Sequence, residues 1–264
     1  MQKYFQIMKG TWEEYMTYRL SFILWRVRMV IQLLVTYFLW MAIFSEKKEL
    51  FGYSQSMILT YILLSSSMRT LTMSTRTQDI GILINSGDLS NWLIRPISFI
   101  KNCISREIAD KSLNFIFSLL ELILLFILLQ APFFVQSNFL VLLLTTFAIS
   151  LGVLLFFYFS TILSYLAFWT QDIWAPRFLS FIFIEFFAGI LFPIDILPKP
   201  LLLLSQSLPF HYFIYFPLKV YLGQLSAPML LQGFTIGIIW VYGLWFISNT
   251  LWTKGLRIYT AQGR

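Results

Sequence analysis

Charges set inside apolar runs are the residues of this 264-residue sequence best placed to do chemistry, and Glu121 and Glu185 are the clearest. At the centre of a membrane span a charged side chain costs about 2.5–3.5 kcal/mol, so it persists where it works or is paired. Glu121 shares one helical face with Asn114 and Ser118, and Arg69, on an earlier face with Ser65, Thr72 and Arg76, is its candidate partner. Such a patch could line a polar substrate path. It could equally be an interhelical bond, or a protonated acid that only holds helices together; this is the simpler reading, and it predicts that Glu121→Gln is tolerated. Glu185 has Phe181, Ile182, Phe186 and Gly189 around it, and Gly189 leaves room for another helix to bring a partner. His211 and Cys103 are the single histidine and cysteine. One of each excludes a disulfide within the chain, a thiolate metal cluster, H-E-x-x-H and a Cys-His arrangement. No metal site or catalytic set is expected, and His211 is read as structural.

Helices crossing a membrane must position these residues. The sequence is 58% hydrophobic and 12% charged, with a mean hydropathy of +0.76; a soluble domain carries about 25% charged residues. Uncharged runs extend over Met29–Ser45, Leu50–Met68, Leu122–Gln171 and Val220–Thr253, which is transmembrane material. The net charge of +7 is spread through the intervals between apolar runs, not gathered into a patch that could track a phosphate backbone, which excludes nucleic acid as a partner. The first apolar run follows a mixed segment containing Glu13 and Glu14, and no small-residue cleavage site follows, so no cleavable signal peptide is expected.

The pattern predicts an all-α polytopic membrane protein forming a single domain over 1–264. Phe5, Met8, Trp12, Met16 and Leu20 recur at helical spacing, so residues 1–26 are read as a helix lying in the membrane interface, with Arg26 and Arg28 snorkelling to headgroups. Six spans are expected at 27–44, 53–73, 112–130, 139–169, 178–194 and 229–252. Glu46–Glu49 form a short loop. Residues 74–111 form a long cytoplasmic loop, in which Ile97, Ile100, Ile104 and Ile108 mark a second interfacial helix sliding into the third span. Leu201–Leu218 is apolar enough to cross, yet Pro209 and Pro217 interrupt it, His211 sits inside it, and Lys199 and Lys219 bracket it. Residues 195–228 are therefore read as a re-entrant hairpin. With six spans and both termini cytoplasmic, fifteen of the nineteen Lys and Arg lie inside, and only Lys47, Lys48, Lys199 and Lys219 outside.

The stretch Ser86–Phe99 stands out within the long loop. Gly87-Asp88 is a turn signal and Asp88 can cap a helix. Leu89, Trp92 and Leu93 fall on one face, and Arg95, before Pro96, should end the helix. A capped aromatic-aliphatic helix of this kind presses against a partner or lies on lipid; the residues alone leave both open.

The order of parts resembles the type-2 ABC exporter permeases. Asn91-Trp92-Leu93-Ile94-Arg95-Pro96-Ile97-Ser98 is similar to an element in the cytoplasmic loop of one branch of these permeases. Phe192-Pro193-Ile194-Asp195-Ile196-Leu197-Pro198 resembles the proline-bounded segment after their fifth span, and Leu208-Pro209-Phe210-His211-Tyr212 the later proline turn. The resemblance implies that Asp88, Leu89, Trp92, Leu93, Arg95 and Pro96 form a coupling helix between spans two and three, with Leu89, Trp92 and Leu93 facing a motor subunit. It implies a re-entrant gate at Pro193, Asp195, Pro198 and Pro209. It further implies a bacterial plasma-membrane location, pairing with a second permease of the same or a related chain, and an ATPase partner that holds ATP and Mg. Glu185 is read first as simply packed within the bundle, and second as pairing across the permease–permease interface. The sequence contains no G-x-x-x-x-G-K-[ST], so no cofactor is expected on this chain. An ATP-driven exporter of an amphipathic or hydrophobic substrate is the leading reading. A proton-coupled carrier using Glu121 and Glu185 is the alternative, although no clear internal repeat favours it.

Overall fold

The computed structural model describes residues 2–46, 49–130 and 132–260, and within them the chain is almost wholly helical. Helices α1 (Gln2–Thr17) and α2 (Arg19–Ile43) lead into a small antiparallel hairpin, β1 (Glu49–Leu50) with β2 (Tyr53–Ser54). Phe51 and Gly52, with φ of 55° and 77°, form its two-residue turn. This clip is a correction to the plain loop expected there; Lys47 and Lys48 lie outside the described residues. Helices α3 (Gln55–Met73), α4 (Gln78–Ser86), α5 (Leu89–Leu93), α6 (Phe99–Leu129) and α7 (Phe139–Tyr165) follow. Helices α8 (Trp174–Phe187), α9 (Lys199–Ser207), α10 (Tyr215–Tyr221) and α11 (Ala227–Ile258) complete the chain.

Among the described residues, four helices are long and apolar enough to cross a membrane: α2, α6, α7 with its 3-10 extension to Phe168, and α11. Their outward residues, such as Phe115, Leu119, Ile123 and Ile127 on α6, are large, apolar and exposed, the surface that lipid covers. At about 1.5 Å per residue, α6 with its 31 residues exceeds the ~30 Å hydrocarbon core, so its charged first turns stand outside. The expected second interfacial helix and third span are thus one continuous helix. Ile100, Ile104 and Ile108 are exposed along its early turns.

Helix α3 is the centre of the bundle. Ile58, Leu59, Tyr61 and Ile62 are almost fully buried, packed with Leu33, Tyr37 and Trp40 of α2, Leu151 and Leu155 of α7, and Phe213 and Leu218. Surrounded by protein instead of lipid, α3 can carry polar residues, because neighbours satisfy them. Tyr61 Oη donates to Gly189 O (2.6 Å), Ser65 Oγ to Ile190 O (3.3 Å), and Thr60 Oγ1 accepts from Phe134 N (2.8 Å).

Helix α8 starts at Trp174 and stops at Phe187, shorter than the expected span over 178–194. Gly189, with φ of +77°, turns the chain inward, where a Cβ would meet Tyr61 Oη at 2.6 Å. Tyr215 N then bonds Ala188 O (3.0 Å), tying the returning segment to the end of α8. Residues 195–228 hold α9, a 3-10 turn at Pro209–Tyr212, and α10. Tyr212, Phe213 and Ile214 are buried against α7. Gly152 of α7 permits that approach, since a Cβ there would lie 2.6 Å from Tyr212 O.

A second apolar cluster lies at one end of the bundle. Ile80 and Ile84 of α4 and Leu89 of α5 pack with Phe99, Tyr165, Ala167 and Phe168, flanked by Trp252 and Tyr259. Helix α4 was not anticipated from the polar interval. Ile80, Leu83 and Ile84 carry its helical spacing, and Gly87, with φ of 82°, ends it.

Candidate functional sites

The corner between α4 and α5 is held from behind. Tyr259, just past α11, donates its hydroxyl to Gly87 O (2.6 Å) and accepts from Ser90 N (3.2 Å). Asp88 precedes α5 but makes no side-chain cap; its carboxylate accepts from Ser86 Oγ (2.8 Å) instead. Leu89 is 0% exposed, so it anchors the corner and is corrected from the outward face to the inward one. Trp92 is half-buried, edge-on to Phe99. Leu93 (44% exposed) and Ile94 (83% exposed) project outward. Arg95 and Pro96 are exposed beside them, with the Arg95 guanidinium 4.2 Å above the Trp92 ring. The outer edge is thus Leu93, Ile94, Arg95 and Pro96, braced by Trp92.

Within the bundle the expected partners are exchanged. Glu121 faces Arg26 (Oε1 to Nε 3.3 Å), not Arg69. Arg26 is buried rather than snorkelling, and its Nη2 donates to Asn114 O (3.0 Å). Phe22, Trp25 and Phe117 place their rings 5.6–5.8 Å from its guanidinium carbon, a cation–π cage. Arg69 instead pairs with Glu185 inside the same chain, which removes the need for a partner across an interface. Asn114 and Ser118 are both buried, and the Asn114 amide donates to Asp110.

Helix α1 is clamped to this bundle as well as presenting Phe5 and Met16 outward. Trp12 Nε1 donates to Ala109 O (2.9 Å) and the Tyr15 hydroxyl to Asp110. Glu14 bridges Arg76 (3.0 Å) and Arg106 (3.1 Å), and Arg106 also holds Asp79 (3.0 Å). Burial would lower the Arg76 pKa, but Tyr15, Glu14 and Asp110 outweigh it and raise it. Burial also pushes the Asp79 carboxyl above its ordinary value, against the pull of Arg106 and Arg76. Lys111 caps the end of α3, donating to Leu71 O, Thr72 O and Ser74 O at 2.8–3.1 Å. This latch joins α1, α3, α4 and α6.

Beside the latch a cavity of about 880 Å³ opens, lined from α1, α2, α3, α4, α6, α7 and α8. Its walls are aromatic (Phe22, Trp25, Phe156, Phe159, Phe178 and Phe181) with Arg28, Arg69, Arg76 and Arg177 among them. Of the residues expected to form a polar path, Arg69 and Asn114 line it. Residues 30–263, which take in the long helices, the cavity's α3, α7 and α8 walls and the short exposed α5, match the model for a family described as ABC-2 family transporter protein. The chain belongs to this family. No curated protein matches it. Membership makes the protein a multi-pass membrane permease, the transport subunit of an ABC transporter rather than its catalyst.

In the permease, Asp195, one of the residues expected at a re-entrant gate, sits in a polar knot. Asp195 accepts from Lys219 (2.8 Å) and from Tyr53 Oη (3.0 Å), and Lys219 also donates to Tyr53 Oη (3.0 Å) and Gln224 Oε1 (2.6 Å). Lys219 is buried, not simply an outer bracket of the hairpin. The available signal was its position as a lone charge between Leu218 and Val220. Pro193 opens the 3-10 turn that carries Asp195, Pro198 precedes α9, and buried Pro209 starts the second 3-10 turn.

Proposed function

We propose that this permease is the membrane subunit of an ATP-driven exporter that moves an amphipathic or hydrophobic substrate. ATP and Mg reside on a separate ATPase that docks against the exposed edge of α5. The observation that carries this reading, beside family membership, is that edge: Leu93 and Ile94 project outward while Leu89, Phe99 and Tyr259 hold the helix firmly from behind. A braced helix can transmit a push where a frayed loop cannot. With α3 and α8 taken as two further spans beside the four long helices, both termini and the α4–α5 corner lie in the cytoplasm; the run of Arg76, Arg95, Lys101, Arg106 and Lys111 around that corner supports this orientation. A second permease, identical or related, completes the pathway in a bacterial plasma membrane. The segment of α9 and α10, held by the Asp195–Lys219 pair, forms its outer gate.

The proton-coupled alternative loses ground because Glu121 and Glu185 are each held in an ion pair within the chain, by Arg26 and Arg69, so neither carboxylate stands free along a path. Affinity purification from native membrane tests the proposal. A P-loop subunit should co-purify and its ATP hydrolysis should respond to substrate. ATP-independent, ionophore-sensitive flux by the permease alone would overturn it.

A further inference from the structure

The cavity between α1–α2, α3, α7 and α8 has more arginine than its carboxylates can serve. Glu14, Asp79 and Asp110 are the acidic residues lining it, and each is engaged with Arg76 or Arg106 below. Arg69 has Glu185. Among the described residues, Arg28 and Arg177 have no carboxylate within salt-bridge distance, although both line the cavity. Arg177 is only partly exposed. Its guanidinium donates to the Ser160 and Ser164 hydroxyls of α7, and its Nε is buried without a hydrogen-bond partner. Serine hydroxyls position a guanidinium without neutralising it. A cation left with only neutral partners next to aromatic walls is expensive unless an anion visits it. Around these two arginines, Trp25, Phe159, Phe178 and Phe181 supply apolar surface, and Tyr18 and Trp174 stand exposed at the rim.

The geometry points to a binding site for an anionic amphiphile: a phosphate or carboxylate headgroup held by Arg177 and Arg28, with its apolar tail along the aromatic wall. Resting on the permease reading, this names the substrate class of that pathway. Arginine suits the headgroup because its planar fork matches two oxygens at once.

The test is equilibrium binding of radiolabelled dodecyl phosphate to the full-length permease in neutral maltoside micelles, with dodecylphosphocholine and inorganic phosphate as competitors. Dodecyl phosphate should bind about ten-fold or more tightly than either competitor, since the site needs both the charge and the tail. Arg177→Gln and Arg28→Gln should each weaken binding about ten-fold, and Arg177→Lys should recover part of it. Arg28 is exposed, so its variant keeps the test valid if Arg177→Gln fails to fold. Arg19→Gln, at an exposed residue outside the cavity, should bind as wild type. Equal binding of the zwitterionic probe, competition by inorganic phosphate at matched concentration, or unchanged binding in both glutamine variants would overturn the inference. ATPase stimulation measured on each variant co-purified with its ATPase reports separately on the permease reading. Coupling that persists without anion selectivity sinks the substrate class alone.

Discussion

Glu121→Gln and Arg26→Met remove the two halves of one ion pair, and they should not cost the same. A carboxyl group left alone in an apolar bundle can take up a proton; a guanidinium cannot lose one. Breaking a fully buried pair costs 3–5 kcal/mol. Here the Arg26 side chain is 7% exposed but that of Glu121 is 26% exposed. Arg26 also keeps its bond to Asn114 O and its three aromatic neighbours. These reduce the expected loss for Glu121→Gln to about 2 kcal/mol, and for Arg26→Met to about 1 kcal/mol. The double variant should be less destabilised than Glu121→Gln alone, by about 1 kcal/mol, because the stranded cation is gone. Thermal unfolding in detergent, followed by fluorescence-detected size exclusion, should show Tm falling by about 4–8 °C for Glu121→Gln and by half that for Arg26→Met. The tolerance expected of a neutral structural acid gives way to this larger cost. Equal losses in the two single variants, or strict additivity in the double, would refute the pairing.

Gly152→Ala puts a methyl group 2.6 Å from Tyr212 O, a backbone atom that cannot rotate away; the variant should lose about 1–3 kcal/mol in the same melting assay. Glu14→Gln weakens the carboxylate bridge between Arg76 and Arg106, so hydrogen exchange of α1 amides should speed several-fold while the α7 core stays protected. Arg95→Ala leaves the anchors Leu89 and Tyr259 in place, so the protein should insert at wild-type levels while substrate-stimulated ATP hydrolysis of the complex falls several-fold.

The long helices were legible because lipid demands apolar residues all along an exposed face, as Leu119, Ile123 and Ile127 show on α6. Helix α3 was legible too, despite its serines and threonines, but not its central position, because satisfaction of Thr60 and Ser65 by neighbours is a tertiary fact. Helical spacing assigned Glu121 to the correct face with Asn114 and Ser118. Which helix stands opposite is set by packing azimuth, and so Arg26 took the place of Arg69. The same limit governed α5. The i, i+3, i+4 pattern of Leu89, Trp92 and Leu93 marked a face but could not say that Leu89 would be covered by α4 and Phe99. Helix α4 was overlooked because its polar termini outweighed three apolar residues at helical spacing. The Tyr53–Asp195–Lys219 knot joins residues far apart in sequence, which no local pattern foreshadows.

Docking of the ATPase on the outer edge of α5 can be measured directly. Cys103 is the single cysteine, so a Cys103→Ser background leaves one chosen thiol to report contact. With Ile94→Cys in that background, a short thiol-to-amine cross-linker added to native membranes should join the permease to a P-loop ATPase, identified by mass spectrometry. Leu231→Cys, exposed on α11 well away from α5 in sequence, should give no such product. Cross-linking of Ile94→Cys to lipid-associated proteins at random, or an ATPase captured as readily from Leu231→Cys, would contradict the account.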